Sequence, residues 1–354
     1  MKKILLTGGG TAGHVTPNLA LVPYLTEAGF QIEYMGSYDG IEKQLVEAEG
    51  IVYHGISSGK LRRYMDVKNL TDPLRILKGL REARHYMKAA RPDVVFSKGG
   101  FVSVPVIMAA SEYRIPIVIH ESDLSPGLAN KLSIPRANKV CYSFPETAQY
   151  LQKDKAVHTG LPVRQELLNG SARSGLEFCG FSQNKPVLLI IGGSLGSAAV
   201  NQAVRKCLPE LLKEFQVVHI CGKGKMDPQF DDMPFYRQFE YIRQELPDLF
   251  AAADLVISRA GANVINELAA LGKPAILIPL GTDQSRGDQI LNADSFARRG
   301  FSAVLKEEDM NENTLIDMVR KVYQDRDSYI QAMKEAGQED ACQKVTRIIL
   351  SVLS

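Results

Sequence analysis

The amino-acid sequence predicts an α/β protein of two doubly wound domains, each a parallel sheet covered by helices, facing one another across a deep cleft. Three observations predict it. Short apolar runs rich in β-branched residues alternate with longer amphipathic stretches. That alternation restarts near the middle of the chain, and each half opens with a strand-like run that ends in glycines. The 354 residues suffice for two cores of ordinary size.

In the first half, residues 4–7, 31–36, 93–97, 116–120 and 139–143 read as strands, with amphipathic segments between them. In the second half the strands are 187–191, 217–221, 255–258 and 274–279, followed by helical segments at 312–323 and 341–353. The stretch 159–184 is polar and turn-rich, including Gly160-Leu161-Pro162 and Asn169-Gly170-Ser171, and reads as the interdomain linker. Domains are therefore expected at 1–160 and 161–339, and such sheets bind ligands beyond the carboxyl ends of their strands.

A composition of 45% hydrophobic and 23% charged residues excludes a disordered chain. The longest apolar runs fall far short of the ~20 residues that cross a bilayer, and Lys2-Lys3 leads into a strand and glycines without a cleavage site. No transmembrane helix or signal peptide is expected. The five cysteines are scattered without a C-x-x-C pair, so neither a disulfide framework nor a zinc site is expected, and the compartment should be reducing.

Two strand-to-helix junctions carry glycine loops, Gly8-Gly9-Gly10-Thr11-Ala12-Gly13 and Gly192-Gly193-Ser194-Leu195-Gly196-Ser197. Glycines there allow backbone amides at a helix N-terminus to approach an anion, so a diphosphate could sit on either loop. Neither loop is a clean G-x-G-x-x-G, and the second strand ends Met35-Gly36-Ser37 with no ribose-binding acid, which argues against a nicotinamide-dependent oxidoreductase. A third candidate is Ser258-Arg259-Ala260-Gly261-Ala262-Asn263, opening a helix at 263–271 that carries Glu267 within reach of a ribose diol. The loop 280–289, with Asp283, Gln284, Asp288 and Gln289, is crowded with hydrogen-bonding groups of the kind that hydroxyl-rich ligands need.

Seven ordered blocks then carry a resemblance. They are the first glycine loop continuing through His14-Val15-Thr16-Pro17-Asn18, Ser97-Lys98-Gly99-Gly100-Phe101-Val102-Ser103, and His120-Glu121-Ser122-Asp123 with Gly127-Leu128-Ala129-Asn130-Lys131. The others are Pro162-Val163-Arg164, the second glycine loop, Arg259-Ala260-Gly261 through Glu267, and Asp288-Gln289 with Asn292-Ala293. Together they resemble the inverting glycosyltransferases of the GT-B type, two Rossmann-like domains around a cleft. Within them they are similar to the branch that adds N-acetylglucosamine to the undecaprenyl-diphosphate-linked muramyl-peptide precursor of peptidoglycan.

The resemblance implies a donor, UDP-N-acetylglucosamine, held by the second domain, with Gly193, Ser194, Gly261, Ala262 and Asn263 around its diphosphate. It implies Arg164 at the nucleotide, Glu267 at the ribose, and Gln289 and Gln284 with Asp288 at the donor sugar. Thr11, Ala12 and Gly13 would line the acceptor side. It also implies that the closing segment 340–354 packs back on the first domain. Two positions depart from the family pattern: Asp123 stands where many relatives carry Asn, and Ala12 where they carry Gly.

An α-linked UDP-sugar giving a β-linked product requires one in-line displacement, which needs a base for the acceptor hydroxyl and stabilisation of departing UDP. His14 is the leading candidate base, with Glu121 and Asp123 as alternatives. No Asp-x-Asp motif that could hold a metal lies in the glycine loops or the other blocks assigned to the cleft, and no cofactor is expected. From Lys60 to Arg91 ten basic residues stand against three acidic, interleaved with Leu70, Leu74, Ile76, Leu77, Leu80 and Met87 at roughly helical spacing. A basic amphipathic segment of this kind reads either as a helix packed on the sheet or as a contact with anionic lipid. With an undecaprenyl-linked muramyl-pentapeptide as acceptor, peripheral attachment at the cytoplasmic membrane surface is expected, and nucleic acid is not. Rival readings are a diacylglycerol glucosyltransferase, a UDP-sugar 2-epimerase and a non-catalytic binding protein.

Overall fold

The computed structural model describes residues 2–59, 72–193, 196–282, 287–337 and 339–353. The chain divides into two compact units, Met1–Arg164 with Glu339–Ser354, and Gln165–Gln338.

The first unit holds strands β1 (Lys2–Thr7), β2 (Phe30–Ser37), β3 (Val52–Ile56), β4 (Val94–Ser97), β5 (Ile117–Glu121), β6 (Lys139–Tyr142) and β7 (Ala156–His158). Its helices are α1 (Thr16–Glu27), α2 (Ile41–Ala48), α3 (Asp72–Ala90), α4 (Ser103–Glu112) and α5 (Leu128–Ser133). The strands form one sheet in the order β3-β2-β1-β4-β5-β6-β7, and every pairing described is parallel. A parallel sheet is covered on both faces, so its central strands are apolar at consecutive positions. In β1, Ile4 and Leu6 point into one core with Leu21 and Leu25 of α1, while Leu5 points into the other with Val106 of α4 and Met87 of α3.

The second unit holds α6 (Gln165–Leu168), α7 (Ala172–Cys179), β8 (Val187–Ile191), α8 (Ala198–Glu214), β9 (Gln216–Ile220), β10 (Tyr236–Phe239), α9 (Leu246–Ala252) and β11 (Leu255–Ser258). It continues through α10 (Ala262–Ala270), β12 (Ala275–Leu277), α11 (Asp288–Arg298), β13 (Ala303–Val304), α12 (Glu312–Gln324) and α13 (Arg326–Glu335). The sheet order is β10-β9-β8-β11-β12-β13, again parallel throughout the described pairings. Leu188, Ile190, Leu255 and Ile257 pack against Val204 and Leu208 of α8 and Leu315 and Val319 of α12.

The terminal helix α14 (Ala341–Ser351) belongs to the first unit. Its buried face, Cys342, Val345 and Ile349, joins the core of α1. Asp340 caps it, accepting from the Cys342 amide at 2.8 Å and from the Tyr24 hydroxyl of α1 at 2.6 Å. The first unit runs to Arg164, and within it the Val163 carbonyl accepts from the Cys342 thiol at 3.6 Å.

The strands read from sequence all form, with ends displaced by one or two residues in most. The strands β3, β7, β10 and β13 were not legible. β3 is a half-exposed edge strand, VYHGI, β7 and β13 have three and two residues, and β10 alternates buried Tyr236 and Gln238 with half-exposed partners. In both sheets the strand order reverses beside the first strand, at β1/β4 and at β8/β11, which is where doubly wound folds bind ligands. Among the described residues no helix is long and apolar enough to cross a membrane.

Candidate active site

In the first unit the β1/β4 reversal brings together the first glycine loop, the Lys98-Gly99-Gly100 exit of β4 and, from the next strand, Glu121 to Gly127. After Gly10 the chain is extended at Thr11 and then makes a single 3-10 turn, Ala12–His14, before α1 begins with Pro17 in its first turn. His14 is half-buried, with Nδ1 3.0 Å from the Gly9 carbonyl and 3.1 Å from the Thr11 hydroxyl. A carbonyl can only accept, so Nδ1 carries a proton and donates to it. The floor of the loop is tied down. The Tyr34 hydroxyl donates to the Gly8 carbonyl at 2.9 Å, and the amide of Asn18 donates to the Thr7 carbonyl at 3.1 Å.

The Gly10 amide donates to the fully buried Glu42 carboxylate at 3.2 Å, and the same side chain accepts from the Ser37 amide at 3.0 Å. The anion at this part of the loop is thus supplied by the protein itself, and a diphosphate there would meet a buried carboxylate.

Glu121 ends β5 and is 4% exposed. Its Oε1 accepts from the Asp123 amide at 3.0 Å, and its Oε2 accepts from the Gly127 amide at 3.1 Å and the Asn130 side chain at 2.8 Å. Both oxygens are therefore engaged within the loop that Glu121 opens. Burial, then the neighbouring Asp123 charge, push its pKa up, against the pull of Asn130 and Lys98. Asp123 itself is half-exposed on that loop.

In the second unit the loop after β8 passes Gly193 and Gly196 to Ser197, whose hydroxyl caps α8 by accepting from the Val200 amide at 3.3 Å. Gly196 sits at φ 68°, against the Cys221 carbonyl, where a side chain would not fit. Beside it, β11 leads into Gly261, the N-cap of α10, followed by Ala262 and Asn263 in the first turn. That turn offers main-chain amides with no side-chain cap over them. Glu267 lies half-buried further along α10. Asp288 opens α11; from its next residue, the Gln289 Oε1 accepts from the Leu280 amide at 3.1 Å, and Asn292 reaches the Ala260 carbonyl at 3.4 Å. The predicted residues of this unit, Gly193, Gly261, Ala262, Asn263, Glu267, Asp288 and Gln289, thus all lie at or beyond the carboxyl ends of β8, β11 and β12 or on the helices that follow. Arg164 ends the first unit, and its Nε is buried without a hydrogen-bond partner. Ser194 and Gln284 lie outside the described residues, as does the 60–71 part of the basic segment 60–91.

Two charged residues to which sequence reasoning assigned no role prove central. Lys98, the first residue after β4, is 1% exposed and donates to the Ser122 hydroxyl. Arg259, the first residue after β11, is 6% exposed, ion-paired with Glu307, and donates to the Ser197 hydroxyl at 2.6 Å and the Ile278 carbonyl at 3.2 Å. The available signal was position: each is a cation placed directly after a buried apolar strand.

Two family models match the chain, the glycosyltransferase family 28 N-terminal domain at residues 4–142 and its C-terminal domain at residues 187–348. The chain belongs to glycosyltransferase family 28. Within it, the chain is 60% identical over 352 residues to a protein of Lachnoclostridium phytofermentans, covering 99% of each. It is 55% identical over 349 residues to one of Clostridium botulinum, again covering 99% of each. Both are named UDP-N-acetylglucosamine--N-acetylmuramyl-(pentapeptide) pyrophosphoryl-undecaprenol N-acetylglucosamine transferase. The crystal structure of Acinetobacter baumannii MurG superposes with a TM-score of 0.79 at 26% identity, covering 99% of this chain and all of that one. CalG4, the calicheamicin glycosyltransferase, superposes with a TM-score of 0.73 at 15% identity, covering 100% of this chain and 98% of that one, a likeness of fold alone. Family 28 membership and these likenesses make the fold GT-B.

Proposed function

We propose that this family 28 chain transfers N-acetylglucosamine from UDP-N-acetylglucosamine to undecaprenyl-diphosphate-linked muramyl-pentapeptide, at the muramyl 4-hydroxyl and with inversion, as a step of peptidoglycan synthesis. The observation that carries the reading is 60% identity, sustained over 352 residues, to a relative named for that transfer.

The second unit takes the donor. Amides of Gly193, Gly261, Ala262 and Asn263, with the positive ends of α8 and α10, stabilise the diphosphate as UDP departs. Glu267 accepts from the ribose hydroxyls and Arg164 meets the nucleotide with the guanidinium whose Nε is otherwise unpartnered. Since Gln289 Oε1 is used by the Leu280 amide, its Nε2 is the group it offers a sugar hydroxyl. Asp288 serves the same sugar, and Ser194 and Gln284 keep the roles their motifs imply.

The first unit takes the acceptor, with Thr11, Ala12 and Gly13 along its glycine loop. His14 is the general base, its ring oriented by the bond from Nδ1 to the Gly9 carbonyl. Glu121 organises the loop that carries Asp123, because its carboxylate bonds the Asp123 amide, the Gly127 amide and the Asn130 side chain. The membrane is met by the start of α3, where Leu74 and Leu77 are 68% and 57% exposed beside Arg75, Lys78 and Arg81. Apolar side chains flanked by cations suit an anionic headgroup layer on the cytoplasmic face.

The test is transfer of labelled N-acetylglucosamine from UDP into the lipid phase, with UDP-glucose and diacylglycerol in parallel. The expected result is label on the muramyl lipid alone, with UDP released only when that lipid is present. Glucose reaching diacylglycerol, or donor epimerised without acceptor, would overturn the reading.

A further inference from the structure

A lysine sealed from water is costly unless its charge is balanced. Lys98 is 1% exposed. Its backbone amide donates to the Thr7 carbonyl at 2.9 Å, placing it beside the start of the first glycine loop, and its Cβ packs on Gly8. Its Nζ donates to the Ser122 hydroxyl, the first residue after β5. The charged groups facing it are Glu121 and Asp123 on either side of Ser122, and buried His120, held neutral by its burial and by Lys98. The glycine loop brings Gly8 against it and α5 brings, through Glu121, Asn130.

We propose that Lys98 is a positioning residue, whose buried ammonium bonds Ser122 and balances the charges of Glu121 and Asp123, and so holds loop 122–127 in the shape the acceptor meets. This inference rests on the transfer reaction proposed above. The physical chain runs through Glu121. Its two oxygens hold the Asp123 amide, the Gly127 amide and the Asn130 side chain, a set of three donors that an ionised carboxylate accepts best. A proton on Oε2 would face two N–H donors and break the set. Burial and the Asp123 charge push the Glu121 pKa up and Lys98 pulls it down, so removing Lys98 lets a proton onto Glu121, and loosens the loop, at a pH where the native chain keeps it closed. Burial pushes the Lys98 pKa down to about 8 against the pull of both carboxylates, so the charge persists at neutral pH.

The experiment compares steady-state transfer by the full-length wild type, Lys98→Met, Lys98→Arg, Asp123→Asn and the double variant K98M/D123N over the accessible pH range. Methionine fills similar volume, and replacing a buried charge by an apolar side chain is often tolerated. In Lys98→Met the acid limb of kcat/KM for the lipid acceptor should move up by about one pH unit. KM for the acceptor should rise about tenfold, on the scale of a lost charged contact, with KM for UDP-N-acetylglucosamine unchanged. Asp123→Asn in the Lys98→Met background should return the acid limb toward its wild-type position, and Lys98→Arg should keep it. An unmoved acid limb in folded Lys98→Met, or equal loss of affinity for both substrates, would overturn the inference. If Lys98→Met folds only when Asp123→Asn accompanies it, the pairing is supported. Equal instability in both backgrounds would overturn it. Absence of transfer by the wild type would instead sink the proposed function.

Discussion

Replacing Gly100 by alanine tests the coupling between the two loops of the first unit. Gly100 sits at φ 85°, and a Cβ there would collide with the Gly9 carbonyl oxygen, closer than the 3.0 Å that real Cβ contacts respect. Gly100 cannot yield, because its own carbonyl accepts from the Ser103 amide at 3.0 Å and the Ser103 hydroxyl at 2.7 Å at the start of α4. The Gly9 carbonyl must therefore retreat, by roughly 1 Å to restore van der Waals contact. That carbonyl orients His14 through the 3.0 Å bond to Nδ1, so the shift passes to the imidazole. A base displaced on this scale costs up to ~100-fold in rate, while the left-handed backbone costs alanine about 1–2 kcal/mol of stability. The assay is kcat for sugar transfer, with thermal unfolding alongside. Gly50→Ala is the control, since Gly50 has a similar φ of 71° with open space around its Cβ position, between α2 and β3. Gly50→Ala should lose similar backbone stability and no rate. Gly100→Ala with wild-type kcat, or Gly50→Ala with an equal loss of kcat, would refute the reasoning.

Three further outcomes are expected. His14→Ala should lower kcat by a hundredfold or more while leaving KM for UDP-N-acetylglucosamine within about twofold, measured by initial rates; near-normal turnover would remove the histidine from base catalysis. The pair Leu74→Ser and Leu77→Ser should weaken binding to anionic vesicles about thirtyfold in a sedimentation assay. Burial of each leucine is worth about 2 kcal/mol, of which about half is still exposed. Glu33, 6% exposed, accepts from Lys3 at 2.8 Å, His54 at 2.6 Å and the Tyr86 hydroxyl at 2.8 Å. Burial alone would raise its pKa, but these partners together bring it below the ordinary value. The depressed folded pKa contributes stability above the unfolded value, lost as pH falls through the folded one. Glu33→Gln should cost about 2 kcal/mol at neutral pH and weaken the acid dependence of denaturant midpoints; an unchanged acid profile would contradict this.

The central strands were legible because a parallel sheet buried on both faces demands runs such as Val187–Ile191, and few other elements do. Edge strands escape that demand. β3 exposes Val52 while covering Ile56, so its side chains carry no clean period. The glycine loops were legible as turns but not as chemically different. Whether a loop amide is left for a ligand depends on Glu42, which lies 32 residues beyond Gly10 and arrives only through the packing of α2. Glu121 shows the same limit: a carboxylate at a strand end reads as a base until its bonds to Asp123, Gly127 and Asn130 are known.

The two units repeat more than a sheet order. Counting from the strand beside the reversal, each places a buried cation one residue after its end, Lys98 after β4 and Arg259 after β11. Each cation reaches across to the residue that follows the next strand, Lys98 to Ser122 after β5 and Arg259 to Ile278 after β12. The chemistry of the head group then separates them. An ammonium is a compact charge and suits the pair of carboxylates around Ser122, whereas a planar guanidinium has donors enough to bond Ile278, Ser197 and Glu307 together. Ser197 caps α8, so Arg259 braces the glycine loop of its own unit directly. Lys98 braces instead the neighbouring loop, and the glycine loop of the first unit is left to Glu42, Tyr34 and Asn18. On the function and the inference proposed above, the same fold position stiffens an amide cradle in one unit and a carboxylate-bearing loop in the other. That is the division expected when one unit must hold a leaving diphosphate and the other must present groups to a hydroxyl that loses its proton.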